Sequence, residues 1–410
     1  MAVGILVGRR LKISNQIKTE IHQIRKNHRL YKFCDDICFK SKNLYNYTNY
    51  LIRQSFIDKQ GIQSENELRK LTRNTEVKGN LPSNVYQECI KFLLKDWKSF
   101  FAALKIYQKN PSKFIGRPKL PKYKKKDGRH FVSYTWVGVR QKGNKVYFTS
   151  SYQYIETNII SKIQQVRIVP MGNIYKIELV YNVEIPEQPI DNSKVLGIDL
   201  GVNNFATLTN NIGLKPIVIN GKVIKSINQY YNKQKAYYQS ILKKTNNKNW
   251  SDRLDNLTRK RNNKLNYLIH CASKFTINYC LENNIKTIVV GKNNGWKQKS
   301  KMGKTNNQNF IQIPYEKYIN QLIYQGKIYG IDIILTEESF TSLASFLDND
   351  SFNNNFNGKR IKRGLYKSKN GILINADVNS SYNIIHKVFP KAFVEGIEGV
   401  HLHPVRVNTI

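Results

Sequence analysis

Between residues 16 and 110 the apolar positions recur at helical spacing. Leu30, Phe33, Ile37, Leu44, Tyr47 and Leu51 fall three, four or seven apart, and Trp97, Phe101 and Leu104 continue the pattern. Helix breakers then cluster at Asn110-Pro111, Gly116, Pro118 and Pro121, inside a basic run from Lys113 to Lys126. Short β-type segments follow at 131–139, 145–150, 165–169 and 175–185, predicting a small barrel or sheet. Ile185-Pro186 and the polar stretch to Lys194 mark a boundary. Beyond Lys194 strands and helices alternate. Strands are predicted at 195–200, 205–208 and 216–219, then a long helical region at 225–283 broken near 246–249, and a strand at 287–290. A helix opened by Pro314 runs to Gly326, a strand covers 331–335, and a last helix covers 376–389.

That second half follows the element order of a ribonuclease-H-like fold, an order many α/β folds share in part. Charge narrows the reading. Sixty-seven Lys and Arg against 28 Asp and Glu leave a net charge of +39 in 410 residues. Such a chain repels itself without a polyanion, and nucleic acid is the first expectation. Five cysteines, Cys34, Cys38, Cys89, Cys271 and Cys280, form no C-x-x-C pair, so the reading is reduced thiols in a cytoplasmic, nucleoid-associated protein. No apolar run approaches the roughly 20 residues of a membrane span. The start places apolar residues 2–8 before Arg9-Arg10, the wrong order for a secretory signal. Asn349–Gly358 reads as an exposed loop, 306–309 as a polar loop, and His401 and His403 as part of a tail.

Two carboxylates stand where chemistry is expected. Asp199 ends an apolar strand and precedes Gly201, at the edge where α/β sheets bind ligands; the alternative is a turn Asp bonded to its own backbone. Asp377 opens a helix in Asn-Ala-Asp-Val-Asn, where the alternative is a dipole-favoured first-turn acid capped by Asn375. Together, in so basic a chain, they suggest a phosphodiesterase that uses two Mg²⁺ ions about 4 Å apart on hard oxygen ligands.

Four segments carry a specific resemblance: Gly116-Arg-Pro-Lys-Leu-Pro-Lys-Tyr123, Gly197-Ile-Asp-Leu-Gly-Val-Asn-Asn-Phe-Ala-Thr207, Glu338-Ser-Phe-Thr-Ser342 and Ala376-Asp-Val-Asn-Ser-Ser-Tyr-Asn-Ile384. Taken in order, they resemble the TnpB (OrfB) family of transposon-encoded RNA-guided DNA nucleases, related to type V CRISPR effectors. The resemblance covers nearly the whole chain. It implies a helical recognition bundle at 16–125, a wedge-type β-barrel at 1–15 and 126–190, and a RuvC-like nuclease domain at 191–410 with an insertion at about 339–375. It also implies a guide RNA transcribed from the transposon end, a double-stranded DNA target beside a short adjacent motif, and Mg²⁺; a large RNA scaffold would suffice for a monomer. Base pairing would read sequence while the protein holds backbones. The alternatives are a nuclease-dead, guide-programmed DNA binder or repressor and, from composition alone, a structural RNA-binding protein.

The sequence departs from the family twice. The usual second acid would fall at Gly291. A Glu from the end of the next strand, Glu337 or Glu338, would reach the same metals if that strand lies alongside, as in a ribonuclease-H-like sheet; the resemblance to relatives with a relocated Glu just before the Thr-Ser motif favours Glu338, giving the site Asp199, Glu338, Asp377. The alternative is a site that has lost its acid. The usual zinc-ribbon cysteines are also missing. Ser345 and Asp348 hold the first pair's positions, no Cys precedes Asp377, and Phe346, Leu347, Phe352, Phe356, Ile361 and Leu365 are expected to pack in place of a zinc ion. Expected phosphate contacts are Arg117, Lys119, Lys122 and Lys124 in the stiff Pro/Gly segment, and Lys359, Arg360 and Arg363 in the insertion; a solvated charge run is the alternative for the latter. The rings of Tyr45–Tyr50 are expected to serve mainly as helix core.

Overall fold

The computed structural model describes residues 13–186, 191–293, 295, 303–353, 355–393 and 401–409. The described residues form two compact units, 14–184 and 185 onward with Ile13.

The 14–184 unit begins with strand β1 (Ile13–Ile24), followed by helices α1 (Tyr31–Ile57), α2 (Glu65–Arg73) and α3 (Ser83–Lys109). Strands β2 (Val132–Thr135), β3 (Val139–Lys142), β4 (Lys145–Phe148), β5 (Tyr154–Glu156), β6 (Ile163–Met171) and β7 (Ile174–Pro186) come next. They form a four-stranded sheet in the order β1-β7-β6-β2 and a three-stranded sheet β3-β4-β5. Residues 16–24 are therefore strand where helix was expected; residues 1–12, expected to supply a strand, lie outside the described part. Ile17, Ile21 and Ile24 are spaced like one helix face, which misleads. In the strand, Ile17 and Ile21 point outward and Ile24 is buried. One hydrophobic core runs through α1, α3 and the strands, with Leu44, Trp97, Tyr134, Phe148 and Ile177 fully enclosed. Phe56 and Phe100 meet Trp97 edge-on and Phe101 lies tilted beside it; Trp97 Nε1 donates to Asn49 at 3.0 Å.

The basic segment after α3 is not helical. It runs extended along α1, which holds its backbone. Asn46 clasps Lys124, donating to its carbonyl at 2.9 Å and accepting from its amide at 2.8 Å. Asn49 and Arg53 donate to the Pro121 carbonyl, and Lys42 Nζ donates to that of Lys126. These residues recur every three or four positions on α1, one helix face.

The other unit is built on a six-stranded sheet. β8 (Val195–Leu200), β9 (Asn204–Asn210) and β10 (Ile217–Asn220) are followed by a hairpin of α4 (Lys222–Asn246) and α5 (Asp252–Glu282), then β11 (Thr287–Gly291). Then come α6 (Lys304–Ile311), α7 (Tyr315–Tyr329) and β12 (Asp332–Thr336). A small sheet of β13 (Lys359–Lys362), β14 (Leu365–Lys367) and β15 (Leu373–Asn375) precedes α8 (Ala376–Val388) and β16 (Val405–Val407). The main sheet runs β12-β11-β8-β9-β10-β16. β8, β9 and β10 pair antiparallel, while β11 and β12 add in parallel beside β8. β12 thus lies next to β11, the adjacency on which Glu338 depends. The 306–309 stretch belongs to α6 rather than a loop. Beyond His401 and His403, residues 405–407 form a strand parallel to β10.

α8 crosses the middle of this sheet at very short range. A Cβ at Gly197 would stand 2.5 Å from the Ser381 carbonyl oxygen, so only glycine admits the helix here. Ser381 Oγ donates to the Thr207 carbonyl and shares a hydrogen bond with Thr209, fixing the helix to β9.

Candidate active site

Asp199 lies near the end of the central strand β8, paired in register with Thr207 on β9. Asp377 is the second residue of α8, capped by Asn375, whose side chain accepts from the amides of Asp377 and Val378. The Gly197 contact brings the start of this helix over the end of that strand. Glu338 follows β12 on a turn forced by Phe340, whose φ of +70° lies in the left-handed region rare for a bulky residue. Local bonds hold the turn: Thr341 donates to the Glu338 carbonyl through its amide and its hydroxyl, and Lys387 Nζ donates to the carbonyls of Glu337 and Ser339.

The Glu338 side chain occupies the place a side chain at Gly291 would take. A Cβ at Gly291 would meet Glu338 Cγ at 2.6 Å, Oε1 at 2.7 Å and Ile384 Cδ1 at 2.6 Å. Asn293, two residues past β11, accepts from the Glu338 amide at 2.8 Å and approaches Oε2 at 3.5 Å. Glu337 contributes only its backbone carbonyl here.

Asp199 senses both of the other acids. Burial, then the charges of Glu338 and Asp377, push the Asp199 carboxyl well above the usual carboxylate range; Arg360 opposes the shift. Burial raises Glu338 to about 7. Asp377 accepts from Asn204 Nδ2 at 2.6 Å and has the Arg360 guanidinium 3.8 Å from its other oxygen. Arg406 on β16 donates to the Asn204 carbonyl oxygen at 3.0 Å, which turns the amide's NH₂ toward Asp377.

As their side chains lie, no group of three or more His, Cys, Asp or Glu among the described residues is arranged to hold a metal ion. The donor set nevertheless fits a hard divalent cation. Glu338 Oε1 is buried with no hydrogen-bond partner, and the like charges around Asp199 have too little compensation.

Asn204, Asn293 and Arg406 escaped the sequence reading. Asn204 lies inside the quoted Gly-Val-Asn-Asn segment and Asn293 two residues after Gly291, so position held a signal for both; nothing local marks Arg406. Arg360, expected as a phosphate contact, stands beside Asp377. Lys359 and Arg363 are exposed. Of the strap cations, Arg117, Lys119 and Lys122 are exposed, whereas Lys124 is half-buried with its ammonium 4.6 Å from the centre of the Tyr45 ring. Tyr45 itself is core and Tyr50 is exposed. His130 is buried, and Cys34, Cys38, Cys89 and Cys280 are buried free thiols.

The insertion folds without thiolates. The Asp350 carboxylate accepts from the Ser345 amide at 2.8 Å and from the amide and side chain of Asn357. Asp348 reaches across to the Lys369 amide at 2.8 Å, joining the two turns. Phe346 stacks on Tyr382 at 4.7 Å and meets Phe393 edge-on. Leu347 packs on that cluster, Phe356 lies against Phe340 and Phe352 near His386, but Ile361 stays exposed.

The architecture is mixed α/β, with Asp199 near a strand end, Glu338 just past one and Asp377 at a helix start. Residues 178–297 match the OrfB_IS605 family, described as a probable transposase. That match agrees with the resemblance to the TnpB (OrfB) proteins that the motifs carry. No curated protein matches the sequence. A cryo-EM structure of a Cas12f1–sgRNA–target DNA complex has a chain that superposes with a TM-score of 0.51 at 17% identity, covering 87% of this chain and 82% of its own. A CRISPR–Cas12f ternary complex aligns with a TM-score of 0.35 at 14% identity over 86% of this chain and 80% of its own.

Proposed function

We propose that this chain is an RNA-guided endonuclease that cuts double-stranded DNA beside a short adjacent motif by two-metal phosphodiester hydrolysis. A guide RNA from a transposon end and the target DNA are its partners. Its segments are read as the recognition bundle, wedge-type barrel and RuvC-like domain of that family. The observation that carries the reading is the Glu338 side chain in the space vacated at Gly291: the second acid has changed strands and still reaches the volume beside Asp199. The Cas12f1 chain of similar fold was solved with a guide RNA and target DNA, and the +39 charge suits both polyanions.

Asp199, Glu338 and Asp377 would hold Mg²⁺, which when bound supplies Lewis-acid stabilisation of the charge that develops at the phosphoryl and departing oxygens. The chain does the rest. Asn204 and Arg406 fix the rotamer of Asp377, Asn293 fixes Glu338, and Arg360 offers a guanidinium to the scissile phosphate. The exposed strap cations hold a backbone without reading bases.

The test is plasmid cleavage by the protein purified with its co-expressed RNA, with and without Mg²⁺. Asp199→Ala and Glu338→Ala are expected to abolish cutting while guided binding persists, and Glu337→Ala to cut. A wild type that binds its guided target and never cuts would instead make the protein a programmable binder.

A further inference from the structure

The hairpin of α4 and α5 has a face that the nuclease reading does not use. On α4, Ile224, Asn228 and Tyr231 are buried toward the body of the unit. The opposite stripe should be polar on a solvated helix. Here it reads Tyr230, Lys233, Tyr237, Ile241, Lys244, spaced by three and four, and all five are exposed. Tyr230 is 63% and Tyr237 58% accessible. α4 carries six lysines and no acid. Tyr237 is steadied from behind: it meets Tyr238 edge-on at 5.2 Å, and Arg253 from α5 both lies 4.1 Å over the Tyr238 ring and donates to its hydroxyl at 2.6 Å.

An apolar partner would leave the lysines unpaired, and a second copy of this chain would bring like charge against like. A strand of nucleic acid satisfies both components, with phosphates on the lysines and unpaired bases on the rings. Duplex bases, stacked on one another, cannot use the rings. We infer that the outer stripe of α4 is a binding track for single-stranded nucleic acid, with Tyr230 and Tyr237 as stacking platforms about 10 Å apart and Lys233 and Lys244 as phosphate contacts. This site is separate from the three acids and does not depend on their activity.

The experiment uses the full chain and 12-nucleotide oligo(dT) or oligo(rU) carrying 5-iodouracil, with a duplex of equal length as control. Photocrosslinks from the single strands are expected within residues 222–246. The double variant Tyr230→Leu/Tyr237→Leu keeps the apolar surface but loses the ring faces. It should lose those crosslinks and bind single strands at least about fivefold more weakly, with duplex affinity unchanged. Tyr230→Phe/Tyr237→Phe should bind as wild type. The ratio of dT to rU affinity tells which strand the track prefers. Crosslinks confined to other segments, or a leucine variant that binds single strands as wild type does, would overturn the proposal, as would an equal loss of duplex binding. Plasmid cleavage by the same variants is read separately, so a dead nuclease leaves this result standing.

Discussion

Glu338 and Gly291 share one volume: a Cβ on Gly291 would lie 2.6 Å from Glu338 Cγ. The prediction is an exclusion rule. Gly291→Ala forces Glu338 or Ile384 aside, costs on the order of 1–3 kcal/mol, and should lower cleavage at least tenfold with guided DNA binding intact. The exchange Gly291→Glu with Glu338→Gly should recover cutting relative to Glu338→Gly alone. A fully active Gly291→Ala would show that the two positions do not compete.

Asn204 connects Arg406 to Asp377. Asn204→Ala frees the Asp377 carboxylate, and the cleavage rate should fall by about tenfold or more, the loss of a hydrogen bond to a charged group. Arg406→Ala should give a smaller loss, and Arg406→Lys should restore part of it. Guide-dependent target affinity, measured alongside, should not move.

His130 makes the 14–184 unit sensitive to acid. The ring is buried between Tyr45 and Phe131, and burial, reinforced by Lys124, lowers its pKa from 6.5 to about 3. Unfolding lets the ring take up a proton. Its contribution is therefore complete above about pH 6.5 and is lost as pH falls toward 3, about 2 kcal/mol by pH 5. Urea unfolding at pH 7 and pH 5 should show that loss in wild type, and a clearly shallower one in His130→Phe. Equal slopes would assign the acid sensitivity elsewhere.

The insertion should be indifferent to chelators, because carboxylate–amide bonds do the work of a zinc ion. Asp350→Ala leaves the Ser345 amide buried and unpaired and should cost about 1–3 kcal/mol. Proteolysis across 339–375 should be unchanged by EDTA in wild type and accelerated in the variant. EDTA-sensitive proteolysis of wild type would mean that a metal supports the segment after all.

Salt dependence separates the strap cations. Removing one exposed phosphate contact, as in Arg117→Gln, Lys119→Gln or Lys122→Gln, should flatten the plot of log K against log salt by about 0.7–0.9. Lys124→Gln should change the slope less, since its ammonium already rests on Tyr45.

The sequence disclosed what is locally encoded. Asp199 follows a short apolar strand, Asp377 follows its own cap, and both signatures fit within ten residues. Glu338 required an argument about which strand neighbours which, and the β11–β12 pairing supplies the adjacency. What stayed hidden depends on contacts distant in sequence: the Asn46 clasp on Lys124 spans 78 residues and the Arg406–Asn204 bond 202. β1 was misread because its isoleucines happen to obey the helical period. In the strand Gln16, Lys18, Glu20 and His22 are half-buried while Ile17 and Ile21 face outward.

The shared volume at Gly291 also bears on descent. Two glutamates cannot both fit there, and a chain with neither lacks the second acid. Under the proposed site, any exchange of the acid between the two strands therefore passes through a crowded or an empty state.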